Sequence, residues 1–419
     1  MSIWKIMHKE NTIVNIGRKL ELNKINYLIK FVKDVFHYRG FLWGKLISIK
    51  EILDGNFPDV KILSHENVRL YYSPPVFNDG SGRGQKLVEG KEYIQYIALI
   101  KNATVYGDSN LITLPDNKVL YDLPAYDESK QYRYTNYNSK IIKIKGNNVF
   151  YWKGTKHNLE KAIWMGGNFS WNYYHLIYEF IIKFLYLNKL DIPLDIPVLV
   201  DQRCLSDPQY KELLDIANNK KYQLIGVDRQ WRFNVNELIY INCPNLIPPN
   251  IKDDTYSDYF IQFDIKALHN FRNYMLMYSS NKEFPKRIFL SRKNASGRRK
   301  FNEEAVIQLL TEFGFETVFS EKISIPDKIS LFNHAEWIIG GSGAAFSNLL
   351  FCSNSTKVIM LSRGYFYFTD FSTIATALGI YQLYITEEDT NKDMIRGNFH
   401  DPFEIDLPYL KKQLIELGL

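Results

Sequence analysis

Several things this chain lacks narrow what it can be. Its three cysteines, Cys204, Cys243 and Cys352, lie far apart and form no CxxC pair. An odd, scattered set argues against a disulfide framework or a zinc site and fits a reducing cytoplasm. No apolar run reaches the roughly 18 residues that a membrane-spanning helix needs. The first residues, MSIWKIMHKENT, lack the continuous apolar stretch of a secretion signal, so a cytoplasmic chain is expected. Zinc-protease, Walker, serine-hydrolase and kinase signatures are missing. So is a convincing DxD: Asp253 and Asp254 fall in a proline-rich connection and read as solvated. A diphosphate here would therefore be neutralised by arginines and helix dipoles. No metal and no cofactor is expected.

What is present points to a two-domain globular chain. At 419 residues it is too long for one ordinary core. Aromatics make up 15% of it, with 29 Tyr and 27 Phe, enough to line a cleft as well as a core. Stacking on sugars or bases is one use for them, and a codon bias is the other. Net charge is +6, but residues 1–50 hold ten Lys/Arg against three Asp/Glu, so the remainder is nearly neutral. That balance is a poor fit to nucleic acid as partner. Within this stretch Ile25, Leu28, Ile29, Val32, Val35 and Phe36 follow helical spacing, with Lys24, Lys30 and Lys33 between them. Such a basic amphipathic helix can lie on an anionic membrane or pack on the domain behind it. Residues 18–50 are thus the candidate for peripheral membrane contact.

After an exposed Gly/Pro-rich loop at 73–85, short strands are expected at 96–100, 104–107, 111–114 and 119–123, then a hairpin over 140–154. Helix and strand alternate from there. A helix is expected over 172–189, strands at 196–201, 222–227 and 237–242, and a proline-rich connection at 243–254. A long helix over 255–280 leads to strands at 287–291, 316–319, 337–340, 357–361 and 382–385. Between these lie helices starting at Asn302, Pro326, Ala344 and about 370. A last amphipathic helix covers 405–418. The alternation predicts a parallel sheet covered on both faces.

Ligands of such sheets bind beyond the carboxyl ends of the strands. One loop there, Ser291 to Lys300, carries five basic residues and no acid. Guanidinium forks suit phosphate oxygens, although a solvated basic loop has the same composition. A second, Gly340-Gly341-Ser342-Gly343-Ala344-Ala345, lets backbone N–H groups approach a pyrophosphate at a helix N-terminus, or is simply a tight turn. Lacking the full GxGxxG pattern, it disfavours a nicotinamide cofactor. Glu321, near the third loop, is a candidate for ribose hydroxyls or an ordinary exposed acid. In the first half, His175 and Glu179 stand four apart on one helical face. Glu179 could orient the imidazole and His175 remove a proton from a hydroxyl; the alternative is a buried structural histidine.

Together these stretches resemble glycosyltransferase family 61. NYYHLIYEFIIKFL (172–185) is similar to its Asn-Tyr-x-His…Glu helix and IFLSRKNASGRRKFNEE (288–304) to its Ser-Arg…Arg…Asn-Glu block. The segment 314–352 is similar to its Gly-Phe-Glu…Gly-x-His-Gly-Ala…Asn-Leu-Leu-Phe block. The resemblance runs from about 95 to 390. It implies a GT-B-like α/β fold, two Rossmann-like domains facing across a cleft. It implies an inverting, metal-independent transfer from a nucleotide-sugar, usually a UDP-sugar, to a glycan or lipid-linked glycan acceptor. It also implies a setting in capsule, lipopolysaccharide or other surface-polysaccharide assembly. Arg292, Arg298 and Asn302 then match the basic donor block, Gly343, Ala344 and Asn348 the glycine-turn helix, and His175 and Glu179 the first-domain helix. Two positions depart: Ser342 stands where the family has His, and Lys328 where Gln is common.

The expected organisation is a basic N-terminal extension over 1–90, helical at its start and helical/β overall, an acceptor-side α/β domain over 91–254 and a Rossmann-like donor domain over 255–419. The final helix either stays with the donor domain or packs back on the first. The expected site comprises His175 and Glu179 for catalysis and Arg292, Arg298, Asn302, Glu321, Gly341, Ser342, Gly343, Ala344 and Asn348 for the donor. The competing expectation, suggested by Ser342, is a non-catalytic sugar- or nucleotide-binding subunit of a polysaccharide assembly complex.

Overall fold

A computed structural model describes Leu28, Val32 and residues 40–55, 57–77, 85–121, 140–247, 261–295, 299–363, 369–386 and 401–419. Arg298, most of the basic helix at 25–36, part of the loop at 73–85, most of the connection at 243–254 and the start of the expected helix at 255–280 lie outside these residues. The chain is mixed α/β and contains two sheets.

The C-terminal sheet is the simpler. Its strands β12 (Arg287–Leu290), β13 (Glu316–Val318), β14 (Trp337–Gly341), β15 (Lys357–Ser362) and β16 (Tyr381–Thr386) are all parallel. Apolar runs such as Ile288-Phe289-Leu290 and Val358-Ile359-Met360-Leu361 are buried on both faces, as parallel strands between helical layers must be. The helices Glu303–Glu312 and Leu407–Glu416 cover one face through Val306, Leu310, Leu410 and Leu414. The helices Ile265–Leu276 and Ile325–His334 cover the other through Leu268, Phe271, Ile329 and Phe332. Of the two placements open to it, the last helix takes the one within the second half, against Glu303–Glu312. Its buried leucines at positions 410 and 414 find their apolar partners there.

The N-terminal sheet has eleven strands. They are β1 (Phe41–Ile47), β2 (Val60–Tyr72), β3 (Val88–Tyr106), β4 (Leu111–Leu114), β5 (Lys118–Tyr121), β6 (Ile141–Lys145), β7 (Asn148–Trp152), β8 (Thr155–Trp164), β9 (Val198–Asp201), β10 (Leu224–Val227) and β11 (Trp231–Ile241). The order is β10-β9-β8-β11-β3-β4-β5-β1-β7-β6, with β2 also on β3. A parallel run of β10, β9, β8 and β11 is continued by a largely antiparallel meander. Residues 41–72, within the expected N-terminal helical/β extension, supply β1, a short helix Ile49–Asp54 and β2, so the strand part of that extension belongs to this sheet. One correction follows. The strands expected at 96–100 and 104–107 are one strand of 19 residues, which passes Asn102 at φ 53° without ending.

The two sheets share a core. Ile163, Val198, Ile239 and Ile241 of the first and Ile288, Leu290, Ile338 and Met360 of the second belong to one buried cluster. Between them lie the helical segment 173–187 and the 3-10 helix Ala344–Phe351. The first is not a uniform helix: an α-turn Tyr173–His175 leads into a π-helix Leu176–Phe180 and a 3-10 turn Ile181–Lys183. Two buried hydrogen bonds join these elements. Tyr173 donates its hydroxyl to Asn348 Oδ1 at 2.7 Å, and Tyr178 to the Ser347 carbonyl at 2.7 Å.

Candidate active site

Strand order β13-β12-β14-β15-β16 places the first strand of the unit between the second and the third. The direction of winding reverses between β12 and β14, and at such a switch point the loops leaving adjacent strands part and open a crevice. The loops there fall in the two stretches singled out from sequence, Ser291–Lys300 and Gly340–Ala345. Arg292 crosses from the first to the second and donates from Nη1 to the Ser342 carbonyl at 3.0 Å. Arg299 donates to the same carbonyl at 3.1 Å. Glu303 fixes the start of the loop, accepting from Ser291 Oγ at 2.6 Å and Arg292 N at 2.8 Å. A pocket of about 570 Å³ opens here, lined by Arg292, Lys293, Arg299, Lys300, Phe301 and Glu303, among others. Burial lowers the pKa of Arg292, and the Glu303 carboxylate opposes that shift.

The glycine turn is shaped by Arg292. A Cβ on Gly343 would stand 1.7 Å from Arg292 Nη1, and one on Gly341 2.9 Å from Arg292 Cδ and 2.8 Å from the Phe301 ring. Ser342 N–H is already bonded to the Leu361 carbonyl. The missing side chains thus admit a guanidinium to the backbone. Gly343 leads into the 3-10 helix at Ala344, whose first N–H groups have no partner within the helix. Ala344 is half-buried at that end.

Across from the turn, Asn172 caps the segment 173–187 by accepting from Tyr174 N at 3.0 Å. His175 Nδ1 meets Glu179 Oε2 directly. The contact leaves Nε2 as the ring nitrogen that Glu179 does not engage. Glu179 is buried and His175 half-buried. The Phe169 ring stacks on the imidazole at 5.2 Å, and Tyr174 meets it edge-on at 5.4 Å.

Asp370 opens the helix Asp370–Ala377. Desolvation pushes its carboxyl up to about 6, against the pull of the Phe371 N–H, Arg299 and His175.

Three of the expected donor ligands hold protein parts together. Asn348 is fully buried; besides accepting from Tyr173 it donates to the Ala345 carbonyl at 2.8 Å. Asn302 stands at the start of the helix Glu303–Glu312 but makes no side-chain cap. Its amide instead bonds the N–H and carbonyl of Ile405, both at 2.9 Å. Glu321 is exposed and accepts from Asn294 at 2.7 Å. It borders a separate groove of about 930 Å³ shared with Gln209, Glu212, Asp215 and Lys322. Neither the glycine turn nor His175 lines that larger groove. Lys328 is buried, with Nζ 4.8 Å over the Tyr173 ring and 3.3 Å from Gln209 Oε1.

Sequence reasoning missed Arg299, Asp370, Phe169 and Trp171. Arg299 lay in the basic run, one place from the position chosen. Asp370 looked like any acid at a helix start. Phe169 and Trp171 were visible in GGNFSWNYYH as aromatics beside the histidine. Among the described residues no three His, Cys, Asp or Glu side chains form a metal-holding group. None of the helices described is long and apolar enough to cross a membrane.

A family model described as Glycosyltransferase 61 matches residues 173–359, from the helix of His175 through the glycine turn to β15. No curated protein matches the chain. Over those residues the chain resembles glycosyltransferase family 61, and the match supports a glycosyltransferase.

Proposed function

We propose that the chain is an inverting, metal-independent glycosyltransferase that moves a sugar from a UDP-sugar to a hydroxyl of a surface glycan or lipid-linked glycan. One observation carries the reading: two arginines converge on a glycine turn at the switch point, and hydrogen bonds tie the helix after that turn to the segment bearing the His175–Glu179 pair. In this reading the two sheets are the halves of a GT-B-like arrangement, 91–254 on the acceptor side and 255–419 on the donor side. The donor diphosphate lies against Arg292, Arg299 and the start of the 3-10 helix.

His175 Nε2 takes the proton of the acceptor hydroxyl as its oxygen attacks the anomeric carbon. The bond from that carbon to the diphosphate breaks, and its electron pair leaves on UDP. The arginines meet the charge that develops there. Glu179 keeps the imidazole in the productive tautomer and stabilises the imidazolium that forms. Peripheral attachment through residues 18–50 at the inner face of the membrane completes the proposal. Leu28 and Val32, the two described residues of the basic helix, are helical and exposed.

UDP release from UDP-sugars by the purified chain tests this. Arg292→Ala is expected to slow it by about 100-fold or more, and His175→Ala to abolish transfer while UDP still binds. Arg298→Ala is expected to behave as Arg292→Ala. UDP binding without turnover would favour the non-catalytic subunit, and normal turnover by Arg292→Ala would remove the donor site. Activity that depends on added divalent metal would overturn the metal-independent chemistry.

A further inference from the structure

The loop between β8 and His175, Gly166 to Asn172, is held far more firmly than a connection requires. Asn168 N donates to Asn110 Oδ1 at 2.9 Å. Ser170 Oγ lies 2.9 Å from the Gly167 carbonyl and 3.1 Å from Asp201 Oδ2, its one proton shared between these two acceptors. Asn172 N donates to the Phe169 carbonyl at 2.8 Å. These bonds hold Phe169 at φ 62°, a left-handed conformation costly for a bulky aromatic residue. The outcome is a row of rings. Phe169 lies on the His175 imidazole, Trp171 lies 6.3 Å from Phe169, and the Arg203 guanidinium backs Trp171 at 5.1 Å. Phe169 and Trp171 are both half-exposed.

The same loop contains polar atoms that no described residue satisfies. Both amide atoms of buried Asn168 and the indole Nε1 of Trp171 have no hydrogen-bond partner. Buried polar groups in folded proteins are normally paired, so three such atoms within four residues call for an explanation. Charge narrows the ligand. Arg203 is committed to Asp201, through Nε at 2.9 Å and Nη2 at 2.5 Å, and to Asp108 at 3.0 Å. A guanidinium shared by two carboxylates is a poor phosphate receptor, whereas an indole with polar groups beside it suits a neutral ring with an apolar face and hydroxyl edges.

We propose that the loop 166–172 is the acceptor subsite, with Trp171 stacking on the pyranose ring of a glycan acceptor. Phe169 is a positioning residue that keeps the imidazole facing the acceptor hydroxyl. The inference rests on the glycosyltransferase reading and names the acceptor class for it: a sugar ring, not a lipid phosphate.

The experiment uses the full chain with two kinds of probe. UDP binding is followed by calorimetry, and binding of methyl β-D-glucopyranoside and methyl β-D-galactopyranoside by saturation-transfer NMR. Transfer to at least one glycoside is expected in the wild type. It should weaken about tenfold in Trp171→Ala, recover in part in Trp171→Phe, and leave UDP affinity unchanged in both variants. A wild type that binds UDP but neither glycoside overturns the subsite, as does a folded Trp171→Ala that binds the glycoside as well as wild type. If the glycosides bind through Trp171 while UDP does not, the subsite stands and the donor reading fails.

Discussion

The guanidinium of Arg292 occupies the space that a side chain on residue 343 would fill: a Cβ there would lie 1.7 Å from its Nη1. Gly343 has an extended backbone, φ 171° and ψ 175°, that other residues adopt without strain. The obstacle to Gly343→Ala is therefore Arg292 itself, whose flexible end can swing away. Gly343→Ala is expected to fold normally, to break the Arg292–Ser342 contact, and to lower UDP affinity as much as Arg292→Ala does. The double variant should be no worse than either single one, because both remove one interaction. Calorimetric titration of UDP into the four proteins checks this; additive losses would separate the two residues.

Lys328 makes a prediction about pH. Burial pushes its ammonium down to about 8, against the pull of Glu212, Glu321 and Asp207. A depressed folded-state pKa means that the native state binds fewer protons than the unfolded chain, so stability falls as pH drops from the ordinary lysine range through 8. Lys328→Met should remove that penalty. The variant is expected to be more stable than wild type at pH 7, by up to about 3 kcal/mol, with the gain, read from denaturant melts, shrinking towards pH 10. A gain independent of pH would point to packing rather than charge.

Asp370 behaves in the opposite sense. Its carboxyl is pushed up to about 6, so the native state holds the proton more tightly than the unfolded chain. That contribution is complete below pH 4 and is lost as pH rises through 6. Asp370→Asn should raise the melting temperature at pH 7.5 and leave it nearly unchanged at pH 4. If Asp370 also balances Arg299 and His175 during transfer, this stabilised variant should turn over more slowly, a trade common at active sites. Thermal melts at both pH values and a UDP-release assay test both parts.

How far the sequence revealed this molecule depended on burial. The central strands β12, β14 and β15 of the second sheet were legible because strands covered on both faces are almost wholly apolar; the edge strand β13, Glu-Thr-Val with two exposed residues, was legible from its place in the alternation instead. β2 was not: eleven of its thirteen residues are exposed or half-buried, so polar side chains mask its pairing. The break expected near Asn102 was an irregularity inside one strand. In the site, the loops could be placed because their strands could be ordered. Which amide binds a ligand could not be read, since Asn348 and Asn302 look the same in sequence whether they face a diphosphate or a backbone.

The Tyr173–Asn348 contact gives a fourth prediction. Tyr173→Phe leaves Asn348 Oδ1 buried without its donor, at a cost of about 1–3 kcal/mol. Asn348→Ala strands the Tyr173 hydroxyl at a similar cost, and the double variant should recover part of the loss. If the contact aligns imidazole and turn, kcat should fall in Tyr173→Phe while UDP affinity stays the same. Denaturant melts with steady-state kinetics measure both; an unchanged kcat would reduce the bond to a stabilising role.

The two tyrosine hydroxyls that reach Asn348 and Ser347 act as spacers of fixed length. The helices they join lie inside a core common to both sheets, so widening the gap would pull apolar surface into water. Selection among donors would then resemble a calliper held at one setting. A sugar that places its anomeric carbon short of the imidazole, or beyond it, would bind through its diphosphate and still fail to react. Discrimination would show in turnover more than in binding, and near-cognate nucleotide-sugars would act as inhibitors.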